Sequence, residues 1–252
     1  MSTRFSRKDF VSNQEVRWCP GCGDYSILAQ MKKVLASLSI PREKVVVVSG
    51  IGCTGRIAGY IRLDSFHTTH GRPIPFATGL KLAQPELNVN VLSGDGDLAA
   101  IGGNHLIHAA RRNIDLNVIC INNFNYGMTG GQVGPTTPLE AKTTTSPFGR
   151  DVKDVGMPVK MAELLAALQT PAYITRQSVI KPKYINRAKK AIARAFAYQA
   201  ESRCFSLVEL VSNCPTNWGM TPLDSIGWVE DQLLAYYPLG DKKTPESGEE
   251  VS

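Results

Sequence analysis

The sequence predicts an open α/β fold, with a mainly parallel central sheet and helices on both faces. Three observations carry that expectation: short β-branched runs recur along the chain, several end directly in Gly or Asn, and helix-patterned stretches follow them. With 43% hydrophobic residues in 252, the chain can bury a sizeable core without external staples.

In order, the strand signals are Val45 to Val48, Val89 to Leu92, Val118 to Ile121 and Ser206 to Leu210. Helical periodicity covers Tyr25 to Ser37, Ala100 to Arg112, Ala162 to Leu168 and Tyr184 to Glu201. In the last of these, Ile185, Ala188, Ile192, Ala195 and Phe196 share one face, with Arg187, Lys189, Lys190 and Arg194 mostly off it. From Asn122 to Met157 the chain turns rich in Gly, Thr and Pro, and a connection that long is unusual unless it serves a site. After Leu239 the composition becomes polar and charged. Residues 1–239 therefore read as one domain, and 240–252 as a polar, frayed tail.

No stretch approaches the roughly 20 apolar residues that span a bilayer. Met1 to Asp9 is polar and mixed in charge, without the apolar core of a signal peptide, so a cytoplasmic protein is expected. In a reducing compartment, six cysteines point to metal binding or catalysis rather than disulfides. A net charge of +6 serves solubility, or steers an acidic partner, whether a protein or a nucleic acid.

The stretch from Val91 to Gln132 says most about chemistry. A strand ends in Ser93-Gly94-Asp95-Gly96-Asp97 and a helix pattern follows. Glycines at a strand end let backbone N–H groups approach an anion, and a helix N-terminus favours negative charge. Asp95 could ligate a divalent cation, because Mg²⁺ on a diphosphate takes one or two carboxylates and further oxygens. Asn122-Asn123 follows one helix and one strand later. Adjacent parallel strand ends lie about 5 Å apart, so Asp95 and Asn123 can converge on one ion at the carboxyl edge. Alone, Gly-Asp-Gly is common in plain turns; the Asn pair at this separation makes it specific.

The cysteines form a second constellation. Trp18-Cys19-Pro20-Gly21-Cys22-Gly23 holds two thiols at CxxC spacing, Cys53 lies in a glycine-rich strand end, and Cys214 follows the last strand in Ser212-Asn213-Cys214-Pro215. Four thiolates suit a structural zinc or a 4Fe–4S cluster. No second CxxC lies nearby to build a zinc ribbon, and scattered ligands at a cofactor edge favour the cluster. Cys120, inside an apolar strand, and Cys204, just before one, read as core thiols.

The Gly-Asp-Gly and Asn-Asn pair resembles the thiamine-diphosphate signature. Its flanks, Ile101-Gly102-Gly103-Asn104-His105 to Asn113 and Asn125-Tyr126-Gly127-Met128-Thr129-Gly130-Gly131-Gln132, are similar to the β subunit of the 2-oxoacid:ferredoxin oxidoreductases. CxxC near the start, one Cys after a strand and a late Cys-Pro also resemble that family, from Arg17 to about Trp218. The resemblance implies a thiamine-diphosphate-binding fold, with Mg²⁺ on Asp95, Asn123 and the Asn125 carbonyl, and the 4Fe–4S cluster on Cys19, Cys22, Cys53 and Cys214. Gly94, Gly96, Asp97, Tyr126, Gly127, Met128, Thr129 and Gly55 would hold the cofactor, with Cys53 beside it. Phe66-His67-Thr68-Thr69-His70-Gly71-Arg72-Pro73 also looks like a family stretch. His70, Arg72 and Arg56 are its candidates for contact with cofactor or substrate carboxylates. His105 and His108 read as helix residues in ordinary packing.

By the same resemblance the reaction is oxidative decarboxylation of a 2-oxoacid, or the reverse carboxylation. Carbon dioxide leaves, the cluster removes electrons singly for ferredoxin, and coenzyme A accepts the acyl group. His-Gly-Arg-Pro-Ile-Pro with the Asn-Tyr-Gly-Met-Thr-Gly-Gly-Gln stretch looks most like enzymes acting on 2-oxoglutarate; pyruvate or branched-chain oxoacids are the alternatives. The glutamate that thiamine enzymes use on a separate pyrimidine-binding domain has no counterpart here. An α subunit would supply it, in an αβ or (αβ)₂ assembly, with further clusters and the coenzyme A site on partners or absent. No membrane contact is expected. Two rivals compete: a cluster-free thiamine decarboxylase, which leaves four cysteines idle, and a zinc-stabilised nucleic-acid-binding module. The latter lacks clustered Lys/Arg with interleaved aromatics.

Overall fold

The run Val45–Ser49 is buried at every position, as a strand covered on both faces must be. The computed structural model describes residues 5–38, 40–202 and 204–245. Its strands are β1 (Val45–Ser49), β2 (Asp64–His67), β3 (Asn88–Gly94), β4 (Asn117–Asn122), β5 (Asn125–Tyr126), β6 (Gln132–Val133), β7 (Tyr173–Ser178), β8 (Ser206–Val211) and β9 (Gly240–Lys243). Seven form one sheet in the order β2-β1-β3-β4-β8-β7-β9; all pairs are parallel except β7–β9. β5 and β6 make a separate antiparallel hairpin.

Alternate strand residues feed two cores. Val45, Val47, Leu92, Ile119 and Val208 pack with helices α1 (Asp24–Ser37) and, further along the chain, Pro182–Ser202. Val46, Val48, Val91, Val118 and Leu207 face α2 (Pro73–Ala83), α3 (Gly103–Arg111) and α4 (Met161–Ala166). Helices thus cover both faces, and Pro182–Ser202 is α5. Each buried Val, Leu or Ile side chain contributes about 1.5–3 kcal/mol, so these two layers hold the frame on which the loops are mounted. A third cluster, with Phe124, Val211, Val229, Leu233 and Tyr237, caps the carboxyl edge; it includes the chain after α6 (Pro222–Trp228).

The four expected strands are present, and β2, β7 and β9 join them. β2 is an exposed edge, Asp-Ser-Phe-His, with no apolar alternation to read. β7 is buried throughout although its sequence is Tyr-Ile-Thr-Arg-Gln-Ser, because partners inside the protein satisfy its polar side chains. The helix expected at Ala100 to Arg112 starts sooner, as a helical turn over Gly96–Ile101 that breaks at Ala100 (φ −93°, ψ −106°) before α3. The expected tail is corrected at its start. Residues 240–243 form β9, where Asp241 accepts from the Tyr173 hydroxyl at 3.1 Å and Lys243 donates to the Leu168 and Gln169 carbonyls. Residues 246–252 lie outside the described residues. Among the described residues no helix is long and apolar enough to cross a membrane.

Candidate cofactor and cluster site

At the carboxyl ends of β1, β3 and β4 the sheet opens into a cavity of about 270 Å³. Gly94 lines it from the end of β3 and Asp95, Gly96 and Asp97 from the turn after it, Asn123 and Asn125 from beyond β4, and Tyr126, Gly127, Met128 and Thr129 from the β5–β6 hairpin. Gly96 is required by close approach: a Cβ there would stand 2.4 Å from the Tyr126 ring.

Asp95 is 1% exposed. Its Oδ2 accepts from the Thr136 hydroxyl at 2.5 Å and its Oδ1 from the Asn123 N–H at 3.4 Å. Burial pushes its carboxyl up to about 7. An anion held at that desolvation cost is suited to a cation partner. Asn123 and Asn125 share the wall: Asn123 Oδ1 accepts from the Asn125 N–H at 3.4 Å, and Asn125 Nδ2 donates to the Asn123 carbonyl at 2.9 Å. Phe124 between them has φ +62°, left-handed for a residue with a Cβ, at a cost of about 1–3 kcal/mol. That turn keeps both asparagines on the cavity, while the Phe124 ring packs 5.0 Å from Tyr237. One carboxylate with neutral oxygens beside it is the donor chemistry of a Mg²⁺ that also holds a diphosphate.

Asp97 faces the same cavity, yet its oxygens are taken by protein donors. Oδ2 accepts from the Ile51 N–H and the Ser93 hydroxyl, both at 2.8 Å; Oδ1 accepts from the Gly71 N–H at 3.0 Å and is hydrogen-bonded to His70 Nδ1. Two loops and the end of β3 are therefore tied to one buried carboxylate, and His70 is fixed by it at the cavity wall.

A second cavity, about 230 Å³, adjoins the first and is ringed by Cys19, Cys22, Cys53 and Cys214. Cys53, Asn123, Gly127 and Met128 line both. All four thiols are free of disulfides. The CxxC turn is closed by Cys22 N–H donating to the Cys19 carbonyl at 3.1 Å, and Trp18 Nε1 anchors the Cys53 carbonyl at 2.8 Å. Asn217 Nδ2 donates to Cys214 Sγ at 3.3 Å. Burial raises the Cys22 and Cys214 thiols and pushes Cys53 up to about 11. Among the described residues no three His, Cys, Asp or Glu side chains are placed to hold a single metal ion. The four thiols line one cavity, and four thiolates are the donor set of a tetrahedral zinc or of an iron–sulfur cluster. Cys120 and Cys204 are fully buried away from both cavities, as core thiols.

Other candidates fall elsewhere. Arg56 lines the cysteine cavity, where it donates to the Arg17 carbonyl at 2.6 Å. Arg72 bonds the Gly71 and Ile101 carbonyls at 3.2 and 3.5 Å and lines neither cavity; Gly55 also lies behind the wall, packed on Gly50. Ile51, Gly52 and Thr54 line the larger cavity, and Thr136 and Asn217 hold Asp95 and Cys214. Sequence reasoning passed over these five. The length of the Asn122–Met157 connection was the one signal that could have pointed to Thr136.

Residues 50–210 match the family model described as thiamine pyrophosphate enzyme, C-terminal TPP binding domain. The chain is 49% identical over 216 residues to the 2-oxoglutarate synthase subunit KorB of Archaeoglobus fulgidus, covering 86% of this chain and 76% of that one. It is also 49% identical over 223 residues to the KorB subunit of Methanocaldococcus jannaschii, covering 86% and 78%. A solved 2-oxoglutarate:ferredoxin oxidoreductase from Magnetococcus marinus, with 2-oxoglutarate, coenzyme A and succinyl-CoA bound, superposes with a TM-score of 0.83 at 29% identity. It covers 98% of this chain and 87% of the other.

Proposed function

Because the chain belongs to the thiamine pyrophosphate enzymes, in the family of 2-oxoglutarate synthase KorB subunits, we propose that it is the β subunit of a 2-oxoglutarate:ferredoxin oxidoreductase. The reaction is oxidative decarboxylation of 2-oxoglutarate to succinyl-CoA and carbon dioxide, or its reverse, with ferredoxin as electron partner. One observation carries the reading: a cavity of oxygen donors and a cavity of four thiols share a wall through Cys53, Asn123, Gly127 and Met128.

In this reading Asp95, Asn123 and Asn125 hold Mg²⁺, and Gly94, Gly96, Tyr126, Gly127, Met128 and Thr129 shape the diphosphate end of the cofactor site. Thiamine diphosphate, when bound, supplies the nucleophilic carbon for the 2-oxoacid carbonyl. Cys19, Cys22, Cys53 and Cys214 hold the 4Fe–4S cluster, which supplies one-electron acceptance. Asp97 positions His70, whose second ring nitrogen is left to serve the cavity. Arg56 works at the cysteine side, where its charge suits an acidic electron carrier. Arg72 and Gly55 brace the walls.

The α subunit supplies the pyrimidine-side glutamate, so the cofactor lies between subunits in an αβ or (αβ)₂ enzyme in the cytoplasm. Iron, acid-labile sulfide and zinc on anaerobically purified protein test the reading, with turnover measured with and without the α subunit. About four iron and four sulfide per chain, and turnover only in the complex, are expected. Zinc near one per chain without sulfide, or robust turnover by the isolated chain, would overturn it.

A further inference from the structure

Glu209 on β8 and Arg176 on β7 are both wholly buried, and neither lines the oxygen-donor cavity or the thiol cavity. Arg176 Nε donates to Glu209 Oε2 at 3.0 Å, while its terminal nitrogens fork onto Glu163 at 2.7 and 2.5 Å. Burying such a pair carries a desolvation penalty that well-packed apolar side chains of similar volume avoid. Its burial between two inner strands of the sheet calls for a reason other than stability.

The other oxygen of Glu209 supplies one. Glu209 Oε1 accepts from Asn122 Nδ2 at 2.8 Å, and a carboxylate can accept only from the NH₂ side of an amide. Asn122 Oδ1 is therefore turned the opposite way. There it accepts from the Phe124 N–H at 3.2 Å and lies 3.0 Å from the Thr136 hydroxyl, the group that touches Asp95. Were the amide reversed, its NH₂ would face the Phe124 N–H, and a buried donor in a left-handed turn would lose its acceptor. That turn is what places Asn123 and Asn125 on one wall.

We infer that Glu209, held by Arg176, is a positioning residue for the metal-binding loop: it sets the Asn122 amide, and through Phe124 and Thr136 it presets Asn123, Asn125 and Asp95. This rests on the reading of those three residues as the magnesium–diphosphate site. What matters is an acceptor at position 209, not the ion pair as such. Removing both charges while keeping an amide oxygen at 209 should therefore preserve the site, and removing the oxygen should loosen it.

The test compares Arg176→Met/Glu209→Gln with Arg176→Met/Glu209→Leu in the full chain assembled with its α subunit. Thiamine diphosphate and Mg²⁺ affinities are measured by calorimetry, with the melting temperature and iron content alongside. The Gln variant is expected to bind Mg²⁺ and cofactor within about three-fold of wild type, and the Leu variant about ten-fold or more weakly at unchanged iron content. Asn122→Leu, which removes the relaying amide and leaves the ion pair intact, should repeat the loss and replaces the Leu variant should that one not fold. Equal affinities in all variants, or equal losses with Gln and Leu, would overturn the inference. A wild-type complex that binds neither Mg²⁺ nor thiamine diphosphate would remove the site reading itself and this inference with it, and that failure shows before any variant is made.

Discussion

A Cβ added to Gly127 would stand 3.5 Å from Cys53 Sγ and 3.4 Å from Asn125 Oδ1. A single backbone position thus touches the thiol cavity and the oxygen-donor wall, with no side chain between them. Asn217 Nδ2, at 3.2 Å from the same point, leaves little room on the third side. Gly127→Val is expected to lower ferredoxin reduction about ten-fold or more, by displacing Cys53 or the Asn125 wall. Gly127→Ala, which meets only tight contacts, should lie between it and wild type. Steady-state ferredoxin reduction by the assembled enzyme decides this; full activity in the Val variant would show the shared wall to be irrelevant.

The cysteines separate into two classes that metal analysis can tell apart. Cys214 lines the thiol cavity and receives the Asn217 amide, whereas Cys204 is sealed in the core next to β8. Cys214→Ser should lose most of the roughly four iron and four sulfide per chain, and Cys204→Ala should keep them. Iron retained in the first variant, or lost in the second, would sink the assignment.

Much of this site was legible because its residues lie where short signals are strong: Gly-Asp-Gly after a strand, Asn-Asn after the next, and thiols at turns. The parallel sheet was legible for the same reason, since β1, β3 and β4 are largely apolar runs that meet Gly or Asn at their ends, and β8 is apolar but for Ser206 and Glu209. β7 was not, because Arg176 and Gln177 look like surface residues until Glu209, Glu163 and Thr175 are placed around them. Arg72 donates to backbone carbonyls and Gly55 packs on Gly50, outside both cavities, and no one-dimensional spacing reveals that. Thr136 sits 41 residues from the Asp95 oxygen it holds, beyond the reach of any local motif. β9 was masked by the charged composition that a tail and an edge strand share.

Asp97 is expected to matter for assembly of the site as well as for His70. Four donors converge on its two oxygens, and Asn could serve only one side of that set. Hydrogen bonds to a charged partner contribute about 1.5–3 kcal/mol each, so Asp97→Asn should lower the melting temperature by roughly 5 °C or more. His70→Gln removes a half-exposed ring and leaves the other three donors in place. It should reduce kcat with a smaller thermal effect than Asp97→Asn, since three of the four bonds remain. Calorimetric scans beside kinetics separate the two; a His70 variant as unstable as Asp97→Asn would assign both residues to scaffolding alone.

Glu163 gives the fold an acid-sensitive contact at the far end of the buried network. Burial raises its carboxyl, but hydrogen bonds and charge from Arg176 outweigh that and hold it down at about 2, against an ordinary 4.5. A carboxylate whose pKa is lower in the folded state contributes stability that is full above the unfolded value and disappears as pH falls through the folded one. The window therefore runs from about pH 5 down to about pH 2. Because the side chain is 36% exposed, solvent screening cuts the contribution to about 1–2 kcal/mol. Glu163→Gln should accordingly be less stable than wild type by that amount near pH 6, and the gap should close as pH approaches 2. Urea unfolding at a series of pH values measures the gap directly, and one that stays constant across this range would show that Arg176 does not stabilise the Glu163 charge.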